Sequence, residues 1–576
     1  MGIRGTKAIW DAETDGIELL DITIGDLLDR QARAFPDWEA IVYRYPEIGL
    51  NLRLTYRQYQ AKADRLAKGL LALGIDKGEH VAVWATNVPE WPLLEMALAK
   101  VGAVMVTVNT NYRSAELEYV LRQGDVSTLF LIPSYRDSSF VDAVYRATPE
   151  LKELQDPPAG TLRCSSLPCL RRVVLIGHSQ APGMLSYEQV VAMGNTVSDE
   201  ELRRRQATVS PQDVAMIQFT SGTTGFPKGV MLTHHASVNN AMLLSQRWDW
   251  KEDERLITAM PFFHAAGSLL FILGGLAAGV TVIPLITFDP GKHLEVIAQE
   301  KATFTLAVPT MLIAMLNHPL LVAREVDISS MRRVASGGAP VPVALMEQIK
   351  EKTGADVAIA FGQTECSGII STTPVCDPFE LASSTVGIPL PHTEVKIVDE
   401  AGEPVDLGVP GELLIRGYQV MKGYYRMPEK TAEVIDSNGW LRTGDLATMG
   451  RDGHVNIVGR LKDMVIRGGE NLYPVEIEAF LMTHPKIADA QVIGVPDPYM
   501  GEELCATVRL RPGEIATEDE IRQYCSDGIS RQKVPRYIKF VSDFPLTASG
   551  KVRKFELREL MIHELGLEEA AKLRTA

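Results

Sequence analysis

The chain has 576 residues, too many for a single hydrophobic core, so at least two domains are expected, one of them large. Hydrophobic residues make up 46% and charged residues 23% of it, a balance that excludes wholesale disorder. A net charge of -15 argues against a nucleic-acid partner, since duplex affinity draws on a basic surface, and any anionic ligand must therefore be held by local groups.

The opening stretch MGIRGTKAIWDAETDG lacks the apolar core of a secretory signal and has too many acids for a transit peptide. Gly2 and Thr6 fit a loose myristoylation pattern, one short enough to arise by chance. The ending KLRTA is not a peroxisomal S-K-L signal, so a cytoplasmic protein is expected. The six cysteines (Cys164, Cys169, Cys366, Cys376, Cys505 and Cys525) form no C-x-x-C pair, which predicts reduced thiols rather than a disulfide framework or a zinc site.

A helical pattern over 61–74 opens a long alternation of helices and β-rich runs. The runs fall at 80–86, 103–109, 128–132, 172–177 and 214–219, and resume at 255–261, 303–308, 332–338 and 356–362. Their hydrophobicity is continuous rather than alternating, which predicts strands buried on both faces of largely parallel sheets. Residues 154–169, with three prolines and two adjacent serines, read as a loop.

TSGTTGFPKG, residues 220–229, follows the run 214–219 directly. It is not a Walker A loop, because Pro227 precedes Lys228 and Gly229 follows it, and it contains no G-x-G-x-x-G. Its density of hydroxyls and glycines predicts a flexible strand-to-helix loop. Backbone N–H groups and the hydroxyls of Thr220, Ser221, Thr223 and Thr224 would wrap a polyphosphate there, with Lys228 as a point charge.

The uncharged run 265–288 is long enough to span a bilayer. Its glycines and Pro284 divide it instead into an apolar helix, a glycine stop near Gly279 and a strand, so a buried helix–strand unit is expected and no membrane span. Beyond about residue 385 the segments TEVKIVD, GELLIRG and GHVNIVG alternate in hydrophobicity and predict a smaller antiparallel sheet or barrel. The remaining residues carry helical and strand patterns of their own, enough for a small separate domain.

The ordered series TSGTTGFPKG, SGGAP (336–340), FGQTE (361–365), RTGD (442–445), GRLKD (459–463) and PLTASGKVRK (545–554) closely resembles the motifs of the adenylate-forming superfamily. That superfamily includes acyl-CoA synthetases, peptide-synthetase adenylation domains and beetle luciferases. LTYRQY (54–59), KVGAVMVTVN (100–109) and MPFFH (260–264) resemble its remaining motifs, so the likeness covers essentially the whole chain.

The resemblance implies an α/β protein. Its large N-terminal domain of layered sheets, residues 1–461, would include a small β-barrel-like subdomain. A small mobile α+β domain, 462–576, would turn on a hinge at Lys462. The implied chemistry joins a carboxylate to ATP to give an acyl-adenylate and pyrophosphate, which coenzyme A then attacks. Carboxylates are poor acyl donors, and attached AMP supplies a stable leaving group.

By resemblance, the phosphate loop is Thr220, Ser221, Gly222, Thr223, Thr224, Gly225, Phe226, Pro227 and Lys228. Gly338, Ala339 and Pro340 would line adenine, with Gln363 in the same nucleotide-binding set. Asp445 would accept the ribose hydroxyls, and Arg460 would hold ribose or phosphate. Glu365 and Thr220 would bind Mg2+, Thr364 would touch the α-phosphate, and Lys551 would be the catalytic lysine. Gly468 and Gly469 would border the coenzyme A tunnel. His264 stands near His234 and His235 without metal-ligand spacing and is read as a wall of the acyl pocket, with Gly267 and Gly362.

Gly362 stands where relatives restricted to acetate-sized acids carry tryptophan, which predicts a deeper pocket and medium- to long-chain fatty acids. Ligation of aryl or other acids and loading of a carrier protein are the alternatives; a luciferase-like oxygenase would share every motif. The expected partners are small molecules, with a homodimer left open.

Overall fold

The β-rich runs become the rungs of two largely parallel sheets in the computed structural model, which describes residues 2–3, 5–13, 16–154, 162–220, 227–468, 470–547 and 550–572. The first sheet has eight strands. Leu185–Ser186, Arg172–Leu175, Thr128–Leu131, His80–Trp84, Val104–Thr107 and Val214–Thr220 run parallel, and Lys228–Thr233 and Gly423–Tyr424 complete it antiparallel. The second has nine. Its parallel centre is Asp356–Phe361, Arg333–Gly337, Phe304–Ala307, Arg255–Thr258, Thr281–Pro284 and Glu39–Tyr45. Antiparallel strands flank it at both ends.

Inner strands such as Val104–Thr107 and Phe304–Ala307 are buried at every position, as continuous hydrophobicity requires when both faces are covered. The covering helix expected over 61–74 spans Tyr56–Ala72. It starts earlier because Thr55 and Gln58 close a capping box, and Tyr59, Ala63, Leu66, Ala67 and Leu70 form its buried stripe.

The uncharged run of 265–288 resolves into a π-helical segment, Ala266–Leu273, an α-helical turn, Gly274–Ala278, and the strand Thr281–Pro284. Gly279 takes φ +74° to end the helix. Leu269, Ile272 and Leu273 pack into the core around the eight-stranded sheet, while Ala266, Leu270 and Phe271 pack into that of the nine-stranded sheet. A helix between two cores must be apolar all round, which accounts for the missing charges. Among the described residues no helix is long and apolar enough to cross a membrane.

A five-stranded antiparallel sheet has the order Ile9–Trp10, Thr393–Val398, Gly411–Gly417, Leu441–Met449, Val455–Arg460, so the first strand of the chain closes a sheet made otherwise of residues beyond 390. The small domain has its own core. Val465, Ile477, Leu481, Val492, Leu504 and Ile521 pack between its sheet and helices, among them Pro474–Leu481 and Glu518–Gly528. All six cysteines are free thiols.

Candidate functional site

Three groups of the predicted site residues stand at or just beyond the carboxyl ends of parallel strands, where open α/β sheets place their ligands. Thr220 ends Val214–Thr220; Gly338 follows Arg333–Gly337; Gln363, Thr364 and Glu365 follow Asp356–Phe361. Gly337 pairs in register with Ala360, which sets the last two groups side by side.

One expectation is corrected. The segment 220–229 is not a strand-to-helix loop, because Lys228–Thr233 runs back antiparallel along Val214–Thr220, with Thr220 opposite Lys228. After the loop, Val230 and Leu232 are buried in strand alternation, and the helix begins only at His234, capped by the Thr233 side chain. The two strands are thus the arms of a hairpin, and Thr220 and Lys228 are the facing posts between which the chain crosses. The Tyr119 hydroxyl donates to the carbonyl of Pro227 at 3.0 Å and braces the second post. Ser221, Gly222, Thr223, Thr224, Gly225 and Phe226 lie outside the described residues.

Asp445 and Arg460 face each other across the antiparallel ladder. Arg460 Nε stands 2.9 Å from Oδ1 of Asp445, and Gln363 Nε2 donates to Oδ2 at 2.7 Å and to the Thr443 carbonyl at 2.8 Å. Asp445 is 2% exposed, and burial raises its pKa against the opposing pull of Arg460 and Gln363. Gln363 therefore ties the segment after Phe361 to the RTGD strand.

Lys551 arrives from the small domain on a tight turn. The Lys551 N–H donates to the Thr547 hydroxyl at 3.0 Å, and the Thr547 N–H donates to the Lys551 carbonyl at 2.7 Å. Gly550 makes the turn possible with φ +79° while lying against Val308 and Thr310 of the large domain. The Lys551 side chain reaches Gly338, itself at φ +76°. Burial, with Arg460 nearby, pushes its pKa down to about 8, while Asp445 and Glu365 oppose the shift.

His264 shares this neighbourhood. Burial, and secondarily Lys551, pushes its pKa down to about 3, so it is neutral at physiological pH. Its Nδ1 accepts from the Ala266 N–H at 3.3 Å, which leaves Nε2 to carry the proton.

The glycines assigned to the acyl pocket have a different structural reason. A Cβ on Gly362 would lie 2.0 Å from the Gly368 carbonyl oxygen, and one on Gly267 would lie 2.3 Å from that of Pro261. Both are glycine because backbone passes close by, so a deeper pocket does not follow from Gly362 in this geometry.

Gly468, at φ +59°, turns between Val465–Arg467 and Glu470–Leu472 and packs on Met500 within the small domain. Lys462 lies in the short 3-10 turn Leu461–Asp463. Gly469 lies outside the described residues. Ala339 and Pro340 follow Gly338 before the helix Val343–Thr353.

One residue escapes a reading of the sequence. Tyr424 donates its hydroxyl to Glu365 Oε1 at 2.9 Å, and Lys228 Nζ lies 4.2 Å from the centre of its ring. Nothing in the local stretch KGYYR distinguishes this tyrosine from the next; the contact is visible only once the Gly423–Tyr424 strand is paired beside Lys228–Thr233.

Glu365 and Thr220 offer a carboxylate and a hydroxyl, the hard oxygen donors that suit Mg2+, and the Tyr424 bond engages only one carboxylate oxygen. The donor chemistry fits that ion. Among the described residues, no group of three or more His, Cys, Asp and Glu side chains is arranged to hold a metal by itself.

Residues 28–425 match the AMP-binding enzyme family, and 476–551 match the AMP-binding enzyme C-terminal domain. The chain is 44% identical over 555 residues to YngI of Bacillus subtilis (strain 168), a protein provisionally named as an acyl-CoA synthetase, covering 96% of this chain and 100% of that one. It is 40% identical over 557 residues to the mitochondrial medium-chain acyl-CoA ligase ACSF2 of Mus musculus, covering 95% of this chain and 89% of the relative. The fold is similar to the anthranilate CoA ligase AuaEII in complex with anthranoyl-AMP, with a TM-score of 0.83 at 26% identity, covering 96% and 100% of the two chains.

Proposed function

The chain belongs to the AMP-binding enzyme family, whose acyl-CoA synthetase members it matches over nearly its whole length, and from that premise we propose how its residues ligate a medium- to long-chain fatty acid to coenzyme A. It is an acid–thiol ligase that works through an adenylate. The observation that carries the residue-level reading is the convergence of Lys551 from the small domain with Gly338, Asp445, Glu365 and Arg460 of the large one.

In this reading the hairpin tip from Thr220 to Lys228 cradles the ATP phosphates, and Gly338, Ala339 and Pro340 line adenine. Asp445, held in place by Gln363 and Arg460, accepts the ribose hydroxyls. Glu365 and Thr220 would hold Mg2+, which when bound neutralises phosphate charge. Thr364 and the Lys551 ammonium meet the α-phosphate, and Lys551 also meets the carboxylate, so charge gathering on those oxygens is compensated by groups already in position. Neutral His264 lines the site without adding a second cation beside Lys551.

After adenylation, rotation about Lys462 would withdraw Lys551 and bring Gly468 and Gly469 toward the thiol path. The contact of Lys551 with Gly338 supports this reading, because an adenylating pose would need that lysine at the nucleotide.

The test is coenzyme A-dependent AMP formation across carboxylic acids of graded chain length, with aryl acids included. A maximum among medium or long aliphatic chains supports the reading. Preference for aryl acids would transfer it to the class of the anthranilate ligase whose fold this chain shares. AMP release without coenzyme A consumption would contradict it.

A further inference from the structure

Tyr424 occupies a junction between two groups that the adenylation site needs but that lie on separate elements. Its main chain is fixed first: Tyr424 pairs with Val230 in the ladder, the Tyr425 N–H donates to the Gly229 carbonyl at 2.8 Å, and the Tyr424 N–H donates to the Thr431 hydroxyl at 2.9 Å. The neighbouring residues are anchored as well. The Tyr425 hydroxyl donates to Asp125 at 2.8 Å, Arg426 pairs with the same carboxylate at 2.8 Å, and Gln123 donates to the Tyr425 carbonyl at 3.2 Å. On a backbone held this way, a ring only 4% exposed is confined to the few rotamers that its packing leaves open.

From that fixed ring, the hydroxyl reaches Glu365 Oε1 and the π face carries the Lys228 ammonium. The Glu365 main chain is tied to the same segment, its carbonyl accepting from the Met421 N–H at 2.8 Å. Glu365 therefore meets this segment twice, once through its backbone and once through its carboxylate. Tyr424 is 4% exposed, so water competes little for either contact.

We propose that Tyr424 is a positioning residue of the nucleotide site, one that fixes the Glu365 carboxylate for the metal and the Lys228 ammonium for the polyphosphate from a single ring. The inference rests on the reading of Glu365 as metal ligand and Lys228 as phosphate ligand. Hydrogen bonds to ligating carboxylates orient them, and losing such a partner commonly weakens metal binding about 10- to 100-fold. The ring face adds an electrostatic seat for the cation, which replacement by phenylalanine keeps and replacement by leucine removes.

The experiment measures ATP affinity by calorimetry on the full chain, once with Mg2+ and once with EDTA, for the wild type, Tyr424→Phe, Tyr424→Leu and Glu365→Gln. The readout is the gain in affinity due to Mg2+, which a general loosening of the fold would not move selectively. Tyr424→Phe is expected to lower that gain by about tenfold with the EDTA affinity unchanged. Tyr424→Leu is expected to lower the gain equally and to weaken the EDTA affinity in addition.

A wild-type gain in Tyr424→Phe, with the gain lost in Glu365→Gln, overturns the role of Tyr424 while the reading of Glu365 stands. Parallel weakening of both affinities in Tyr424→Phe marks a purely structural tyrosine and also overturns the proposal. An undiminished gain in Glu365→Gln overturns the reading beneath it.

Discussion

A methyl group built on Gly338 would lie 3.2 Å from Cε and 3.7 Å from Nζ of Lys551, so the segment SGGAP of the large domain and the lysine of the small one meet at this glycine. Gly338 also holds φ +76°, where any other residue is strained. Gly338→Ala is expected to slow adenylation by about tenfold, equivalent to ~1.4 kcal/mol of barrier. It should leave thioester formation from supplied acyl-adenylate near the wild-type rate. Pyrophosphate exchange and single-turnover thioester assays separate the two, and equal loss in both would refute the contact as a feature of one pose.

Lys551→Ala removes the cation from the site while leaving its supporting turn intact, since the turn is held by Thr547 and the Lys551 main chain. Adenylation is expected to fall by about 10²- to 10³-fold, as for loss of a charge-stabilising donor. Thioester formation from acyl-adenylate should persist, and its collapse alongside adenylation would contradict the two-pose cycle.

The pKa of Lys551 is depressed to about 8, so the ammonium is present below that value and is lost as pH rises through it. Because kcat/KM reports the free enzyme, adenylation measured as kcat/KM for ATP should show an alkaline limb near pH 8. Lys551→Arg should lack that limb, whatever its absolute rate. A wild-type profile flat to pH 10 would remove Lys551 from the rate-determining protonation state.

If Gly362 is required by the Gly368 carbonyl only 2.0 Å from where its Cβ would stand, Gly362→Ala must displace backbone. The expected result is a lowered melting temperature, with activity reduced similarly on short, medium and long acids. Selective loss of long acids alone would restore the pocket-depth explanation.

Three histidines are held neutral by burial: His264 with its pKa near 3, and His234 and His293 near 4. Their unfolded value is about 6.5, so between roughly pH 6.5 and 4 the unfolded chain takes up protons that the folded one does not. This contribution to stability is complete above that window and is lost as pH falls through it. Urea midpoints should decline from pH 7 to 4.5 without a change in slope, and His293→Gln should flatten part of the decline.

Much of this architecture is legible because parallel strands announce themselves. Val104–Thr107, Phe304–Ala307 and Asp356–Phe361 are short apolar runs between helical patterns, and each stands where expected. Asp445 and Arg460 are legible as separate motif residues, and the ladder register explains why both motifs exist. The hairpin at 220–229 is harder to read, because glycine and hydroxyl residues mark a loop without indicating whether a strand or a helix comes after it; the answer lies in the short alternation through Val230 and Leu232. Tyr424 is invisible because its function depends on two tertiary partners, and Ile9–Trp10 because two residues carry no period.

That short first strand sets a timetable for synthesis. The sheet partner of Ile9–Trp10 is Thr393–Val398, so at ribosomal speeds of about 5–20 residues per second it waits roughly 20 to 80 s for that partner to be made. Throughout that interval the Trp10 ring, which ends beneath Gly2 and Gly453, lacks its final cover. A segment made well before its partner is thus among the last to find its place, and slowing translation before residue 393 should lengthen the time for which this edge is open to chaperones or to other nascent chains.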